Sequence, residues 1–325
     1  MSLPTTLPSN LPITSSTNNL RVVFVGHVDH GKSTCLGHLL YLLGYISPHE
    51  FDIIEKEAKE NKMTPWKYSY IVDIQPEERA RGKTHAYTEI NTSFKDKTIQ
   101  MIDTPGHQQL IQEMIQGSHL ADVGVVVCSI KTGEIESGLS GQIKDHLTIL
   151  RGIGIKDLII VLNKMDLAGW DQTIFEKNKF ILQQVLERFK FKSVDFCGVS
   201  GWTGENLVQE HQGFGPSLIE RIIQKEKRSQ QMITLKNTKK ILIQLVILPE
   251  FNSIITCGYK CIMHTGNVWF SVQVIRVLDK VFAKANDKVK IEVEPCTELD
   301  EKTFAKNIIL RYNDCTVAMG LLLEK

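Results

Sequence analysis

The feature that most restricts this 325-residue chain is the stretch Gly26-His27-Val28-Asp29-His30-Gly31-Lys32-Ser33-Thr34. It follows the β-branched run Val22–Val25 and precedes the amphipathic segment Leu36–Leu43, so it sits where a strand turns into a helix. Gly26, Gly31, Lys32 and Ser33 meet the spacing G-x-x-x-x-G-K-[ST]. That spacing serves to wrap a polyphosphate in backbone N–H groups, and glycines let the main chain come close with the required dihedrals. The N-terminus of the following helix adds partial positive charge, the Lys32 ammonium suits the β and γ phosphates, and the Ser33 hydroxyl is placed for magnesium. The stretch predicts a nucleoside-triphosphate site to which Asp29, His30, Gly31, Lys32, Ser33 and Thr34 contribute. The alternative is a glycine-punctuated loop that matches by chance, and the motifs downstream argue against it.

From Leu20 to about Gln224, apolar β-branched runs at 22–25, 99–102, 123–127, 158–162 and 194–199 alternate with helical patterns. Such alternation predicts parallel strands with crossover helices on both faces, and ligands there bind beyond the carboxyl ends of the strands. Asp103-Thr104-Pro105-Gly106-His107 follows the second run. Its aspartate can reach magnesium through water, and the Gly106 N–H can bond a γ-phosphate and release it. Asn163-Lys164-Met165-Asp166 follows the fourth run. The Asp166 carboxylate can accept from N1–H and the N2 amino group of guanine, an arrangement adenine lacks, while Asn163 and the Lys164 stem brace the loop and the base face. Ser200-Gly201-Trp202 follows the fifth run and offers a backbone N–H to guanine O6. Each motif alone is weak, since Asn-Lys-x-Asp also suits a helix cap. Four in this order, each at a strand's carboxyl end, predict a guanine-nucleotide site for GTP and GDP.

These motifs, together with the nonamer's His30-Gly31-Lys32-Ser33-Thr34, the helical insertion expected from about Ser47 to Asp73, and Glu77-Glu78-Arg79-Ala80-Arg81-Gly82-Lys83-Thr84, resemble the translational GTPases of the elongation factor 1-alpha and termination-factor group. The likeness covers about residues 20 to 225. It implies that Thr84 joins Ser33 on Mg²⁺, with Asp103 reaching the ion through water, and that His107 positions the attacking water. Lys83 stands where elongation factors carry an apolar residue, as in the termination-factor GTPases, whereas Val28 keeps the apolar gate on the other side of His107.

From about Lys240, six short alternating runs at 241–248, 256–264, 268–278, 289–293, 308–312 and 316–323 suggest a closed antiparallel barrel. Their pattern, with Ser253-Ile254-Ile255, Cys257-Gly258-Tyr259, His264-Thr265 and Thr316-Val317-Ala318-Met319-Gly320, resembles the family's third domain and leans toward the termination factor. The expected class is therefore α/β: a P-loop GTPase domain with a mostly parallel sheet (20–225), then a small all-β barrel (240–325), with a flexible tail at 1–19 and a linker at 226–239.

That linker is too short for the second barrel, of order 100 residues, that the family inserts there. Lys225-Glu226-Lys227-Arg228, Lys236 and Lys239-Lys240 make it basic, which suits a solvated linker better than an RNA contact. Without the middle barrel only the Thr84 and Gly106 contacts are expected to order the switch segment, about Ser47 to Thr84. Carriage of tRNA is disfavoured, and the ribosome or a release-factor-like protein is the expected partner of a GTP-hydrolysing monomer. The alternatives are a nucleotide-gated docking module of slow or no turnover, or an elongation-factor-like carrier.

Composition narrows the setting. With 38 basic and 37 acidic residues, no global charge argues for nucleic acid. Seven singly spread cysteines make no disulfide framework, and Cys257 with Cys261 reads as alternating strand positions rather than half a zinc site. No apolar run is long enough to cross a bilayer and no signal-peptide pattern opens the chain, so a cytoplasmic protein is expected.

Overall fold

A computed structural model describes residues 19–73, 78–79, 84–131, 133–139, 141–235, 239–278, 280–299 and 303–323. The expected tail up to residue 18, and Glu77, Ala80, Arg81, Gly82, Lys83 and Lys236 of the motifs above, lie outside the described residues.

The first half of the chain forms a six-stranded sheet from β1 (Leu20–Val25), β2 (Thr88–Phe94), β3 (Lys97–Asp103), β4 (Val123–Ser129), β5 (Asp157–Asn163) and β6 (Ser193–Gly198), in the order β2-β3-β1-β4-β5-β6. All neighbours are parallel except β2 on β3. The five parallel strands fall on the five apolar runs. β4, Val-Gly-Val-Val-Val-Cys-Ser, is buried throughout, as a strand covered on both faces must be. The edge strand β2 was not among the expected strands. Its Thr-Glu-Ile-Asn-Thr-Ser-Phe buries only Ile90 and Thr92, so its apolar signal is weak.

Helices α1 (Lys32–Leu42), α2 (Pro48–Glu60) and α7 (Leu218–Ile223) cover one face of this sheet, where Leu36, Leu39, Phe51, Leu218 and Ile222 form part of one core. Helices α3 (Ile111–Leu120), α4 (Glu134–Leu139), α5 (Gln142–Gly152) and α6 (Gln172–Leu186) cover the other, with Met114, Ile143, Leu147, Phe175 and Leu182 inside. The expected insertion opens with α2, whose start is set by a capping box between Ser47 and Glu50 and by Pro48 in the first turn. Two 3-10 turns, Thr64–Trp66 and Ser69–Ile71, carry it to Asp73.

Beyond α7 come β7 (Met232–Thr234), β8 (Ile241–Ile247), β9 (Lys260–Thr265), β10 (Val268–Val277), β11 (Lys288–Pro295), β12 (Thr303–Ala305), β13 (Asn307–Tyr312) and β14 (Cys315–Leu323). Six of them close an antiparallel barrel in the order β10-β11-β8-β14-β13-β9. Closure between β14 and β8 needs Gly320, since a Cβ there would lie 1.9 Å from Gln244 O. The strand expected from 256 begins only at Lys260. Residues before it form a turn with Gly258 at φ 87°, so Cys257 is exposed on the turn while Cys261 is buried in β9. All seven cysteines are free.

The stretch expected as a solvated linker is in part built into the fold. β7 pairs with β12, and Ile233 and Leu235 are buried in the barrel core. Arg228 donates to Ile153 O at 2.9 Å and His119 O at 3.1 Å, and Lys225 pairs with Asp195 at 2.6 Å. Arg228 and Lys225 thus hold structure together, while Glu226, Lys227, Lys239 and Lys240 are exposed, as expected of a solvated stretch. Across the seam, Asn307 Nδ2 donates to Gly152 O at 3.3 Å, and Ile309 of the barrel strand β13 belongs to the core beneath α5.

Candidate nucleotide site

The loop after β1 has the backbone that the glycine spacing implies. A Cβ on Gly26 would stand 2.3 Å from Val127 O, so the loop can lie against β4 only with glycine there. Asp29 and Gly31 both take left-handed φ, 65° and 82°, which turns successive N–H groups toward one concavity. Gly31 caps α1 without a side-chain bond, leaving the first-turn N–H groups for a ligand. Lys32 is buried, with Nζ donating to His27 O at 3.1 Å. Burial lowers the pKa of its ammonium, against the opposing pull of Asp103, Asp29 and Asp73.

His30 behaves differently from its neighbours. Its ring is buried, with Nδ1 3.3 Å from Val127 O, and burial chiefly lowers its pKa to about 4. Its side chain does not line the cavity, and its contribution is the carbonyl, which accepts from Asn163 Nδ2 at 2.9 Å. Asn163 thereby joins three loops: its Oδ1 also accepts from Lys164 N and Gly201 N, both at 2.8 Å. That bond occupies the Gly201 N–H, so Gly201 itself does not offer it to a base. Ser200 is buried and its hydroxyl accepts from Thr203 N, a bracing role. Val28, Asp29, Gly31, Lys32, Ser33, Thr34, Gly106, His107, Asn163, Lys164, Asp166 and Trp202 all line one open cavity of about 630 Å³.

At the phosphate end, Ser33 Oγ donates to Asp103 Oδ2 at 2.8 Å and lies 3.1 Å from Thr84 Oγ1. Thr84 in turn donates to Asp73 Oδ1 at 3.0 Å. Asp73 was not among the expected site residues. The available signal was a lone carboxylate closing the otherwise uncharged run Ser69-Tyr70-Ile71-Val72. Burial, and then the Asp73 charge, push the Asp103 carboxyl up to about 7, and burial raises Asp73 to about 6. Asp103 Oδ1 is buried without a hydrogen-bond partner. Two carboxylates and two hydroxyls, all hard oxygen donors with one buried lone pair unused, fit a magnesium ion.

At the other end, Asp166 Oδ1 is likewise buried without a partner. Lys164, in left-handed backbone, sends its Nζ to Glu134 Oε2 at 2.9 Å, so the ammonium is tied aside and the stem is left along the cavity. Glu134, also unforeseen, loses solvation there, but bonds from Ser129, Lys164 and Lys131 outweigh this and hold its carboxyl at about 2. His107 caps the turn that follows it, with Nδ1 accepting from Gln109 N at 3.3 Å.

Comparison with known proteins settles the kinship. The profile of the family described as the elongation factor Tu GTP binding domain matches residues 17–281. The chain belongs to that family. Among curated relatives, elongation factor 1-alpha of Staphylothermus marinus is 36% identical over 220 residues, 65% of this chain and 50% of that one. Protein HBS1 of Drosophila melanogaster is 38% identical over 199 residues, 60% of this chain and 30% of that one. The chain thus spans half or less of the length of these relatives. Of solved structures, the GTP-bound GTPase-like domain of S. cerevisiae Ski7 matches with a TM-score of 0.77, covering 94% of this chain and 97% of that one. At 20% identity that likeness concerns the fold, and it spans both the family's nucleotide-binding sheet and the barrel. No helix among the described residues is long and apolar enough to cross a membrane.

Proposed function

We propose that this chain binds GTP and GDP, hydrolyses GTP, and acts in protein synthesis on the ribosome or with a release-factor-like partner, as a cytoplasmic monomer. The observation that carries the nucleotide reading is the half-buried Asp166 carboxylate, whose Oδ1 is buried and unpartnered on a cavity whose far end holds Lys32, Ser33 and Thr84. A buried acceptor without a donor costs stability, and guanine's N1–H and N2 amino group would satisfy it.

In this reading the P-loop N–H groups and Lys32 hold the β and γ phosphates. Ser33 and Thr84, with Asp103 and Asp73 beside them, would hold a magnesium ion that neutralises phosphate charge when bound. Gly106 brings its N–H to the γ-phosphate. The close fit there needs glycine, because a Cβ would meet the backbone of the phosphate loop at Gly26 O, 2.9 Å away. His107, with Nδ1 accepting from Gln109, has Nε2–H left for the cavity, so its role is to orient a water by donation. Val28 lines the cavity beside it as the apolar side of the gate. Kinship to elongation factor 1-alpha supports the link to protein synthesis. The short connection that holds β7 in place of a middle barrel argues against tRNA carriage.

The test is Asp166→Asn. The amide turns a donor toward guanine's donors and toward xanthine's carbonyl, so GTP should bind at least a hundredfold more weakly and xanthosine triphosphate more tightly. Wild-type protein that bound ATP as well as GTP would refute the assignment.

A further inference from the structure

The cavity has a wall that none of the four motifs supplies. Pro65, Trp66, Ser69 and Asp73 line it from one segment, and their order sets what each faces. Asp73 marks the phosphate end through its bond to Thr84. Ser69 and Trp66 step back from it by about one helical turn each, away from the phosphates. From the residue after Trp66, Lys67 reaches the guanine loop, its Nζ 5.7 Å from the centre of the Trp202 ring. Trp66 therefore stands at the nucleoside end.

Its backbone is pinned while its ring is not. Trp66 N–H donates to Met63 O and its carbonyl accepts from Ser69 Oγ, both at 2.9 Å. Lys67 is fixed by Glu55 at 2.6 Å and by the rings of Phe51 and Tyr68, 5.5 and 5.2 Å away. Tyr68 stacks on His38 at 3.7 Å, and His38 Nδ1 bonds Gly201 O, so the segment is tied to the guanine loop a second time. Trp66 is 39% exposed, and its indole makes no ring contact among the described residues. A large apolar ring that is carried on a rigid turn and lines a nucleotide-sized cavity gains contact when a ligand fills that cavity.

We propose that Trp66 is a nucleoside-covering residue, its indole closing over the sugar and base of the bound guanine nucleotide; this rests on the guanine reading above. Aromatic stacking is tolerant of base identity. Trp66 accordingly retains GDP and GTP alike, while Asp166 selects the base.

The experiment follows dissociation of fluorescent N-methylanthraniloyl-GDP, and of the matching non-hydrolysable GTP analogue, from the wild type and from Trp66→Ala, Trp66→Phe and Trp269→Ala. Losing one base–aromatic contact should speed release from Trp66→Ala about tenfold for both nucleotides. Trp66→Phe should stay within about threefold of wild type. Trp269, an exposed barrel residue away from the cavity, should change nothing. Calorimetry with unlabelled GDP should give the same order. Equal release from Trp66→Ala and wild type, or a loss that Phe does not restore, overturns the proposal. Wild-type protein that binds no GDP would instead remove the guanine reading on which it rests.

Discussion

Asn163→Ala tests whether one amide holds the nucleotide site together. The substitution removes three hydrogen bonds: to His30 O at 2.9 Å, and from Lys164 N and Gly201 N at 2.8 Å. His30 and Gly201 are buried, so their groups lose a partner that water does not readily replace. Each such loss costs about 1–3 kcal/mol, whereas Lys164 N, half-buried, costs about 1. The sum is about 3–7 kcal/mol, divided between the fold and the bound complex. Guanine-nucleotide affinity should fall about a hundredfold, measured by calorimetry, and the melting temperature should drop by about 5–10 °C, at roughly 2–4 °C per kcal/mol. Asn163→Asp keeps the acceptor for two N–H groups and loses only the donor to His30, so it should fall between the two. Affinity within threefold of wild type in Asn163→Ala would show that the loops hold their places without this residue.

Two further outcomes follow from other parts of the molecule. His107→Ala should leave GTP affinity within about twofold but slow hydrolysis at least tenfold, because orienting a water matters in the transition state and little in the ground state; equal turnover in single-turnover assays would remove His107 from the mechanism. At the seam, burial, and then nearby Arg228 and His264, lower the His119 pKa to about 3, while burial and Arg311 lower that of His264 to about 4. Both rings are neutral when folded and take up protons near pH 6.5 when unfolded, so stability is full above 6.5 and lost as pH falls toward 4. Two rings give about 3 kcal/mol between pH 7.5 and 5.5, and urea midpoints that do not move over that interval would refute their burial as neutral groups.

What could be read in advance was whatever chemistry a short stretch carries by itself. Gly26, Gly31 and Gly106 announce close backbone approaches, and the structure shows Cβ clashes at each. The apolar runs gave the parallel strands because strands buried on both faces need unbroken hydrophobicity. Where the outcome depended on contacts between distant segments, the sequence carried little signal. β2 has only two buried side chains, and β7 and β12 are three residues each, held by pairing with one another. Asp73 meets Thr84 across eleven residues of chain. The His30 ring turns inward because Val127 O lies behind it, 97 positions away. None of these is a local property of the residue.

The expectation that only the Thr84 and Gly106 contacts would order the switch segment needs revising for the same reason. Arg79 binds three parts of that segment: Nη1 pairs with Glu57 at 2.9 Å, Nε donates to Asp73 O at 2.8 Å, and Nη2 donates to Tyr70 O at 3.0 Å. The Tyr70 hydroxyl returns a bond to Arg79 O at 3.0 Å. This planar fork ties α2 to the turn carrying Asp73 and needs no middle barrel and no γ-phosphate. A segment already held by contacts indifferent to the γ-phosphate gains little from it, so the isolated protein should separate GTP from GDP only modestly. Arg79→Ala removes the fork. The ion pair is partly exposed and is discounted accordingly, leaving about 2–3 kcal/mol of local stability lost. The amides of Val72 and Asp73, which bond Ser69 O at 2.9 and 2.8 Å, should then exchange about thirtyfold or more faster in the GDP state. The non-hydrolysable GTP analogue should recover part of that protection, making the variant more sensitive to nucleotide than the wild type. Arg79→Lys, which cannot span three acceptors, should behave close to the alanine variant. Unchanged exchange at both amides in Arg79→Ala would return the ordering of the switch to Thr84 and Gly106 alone.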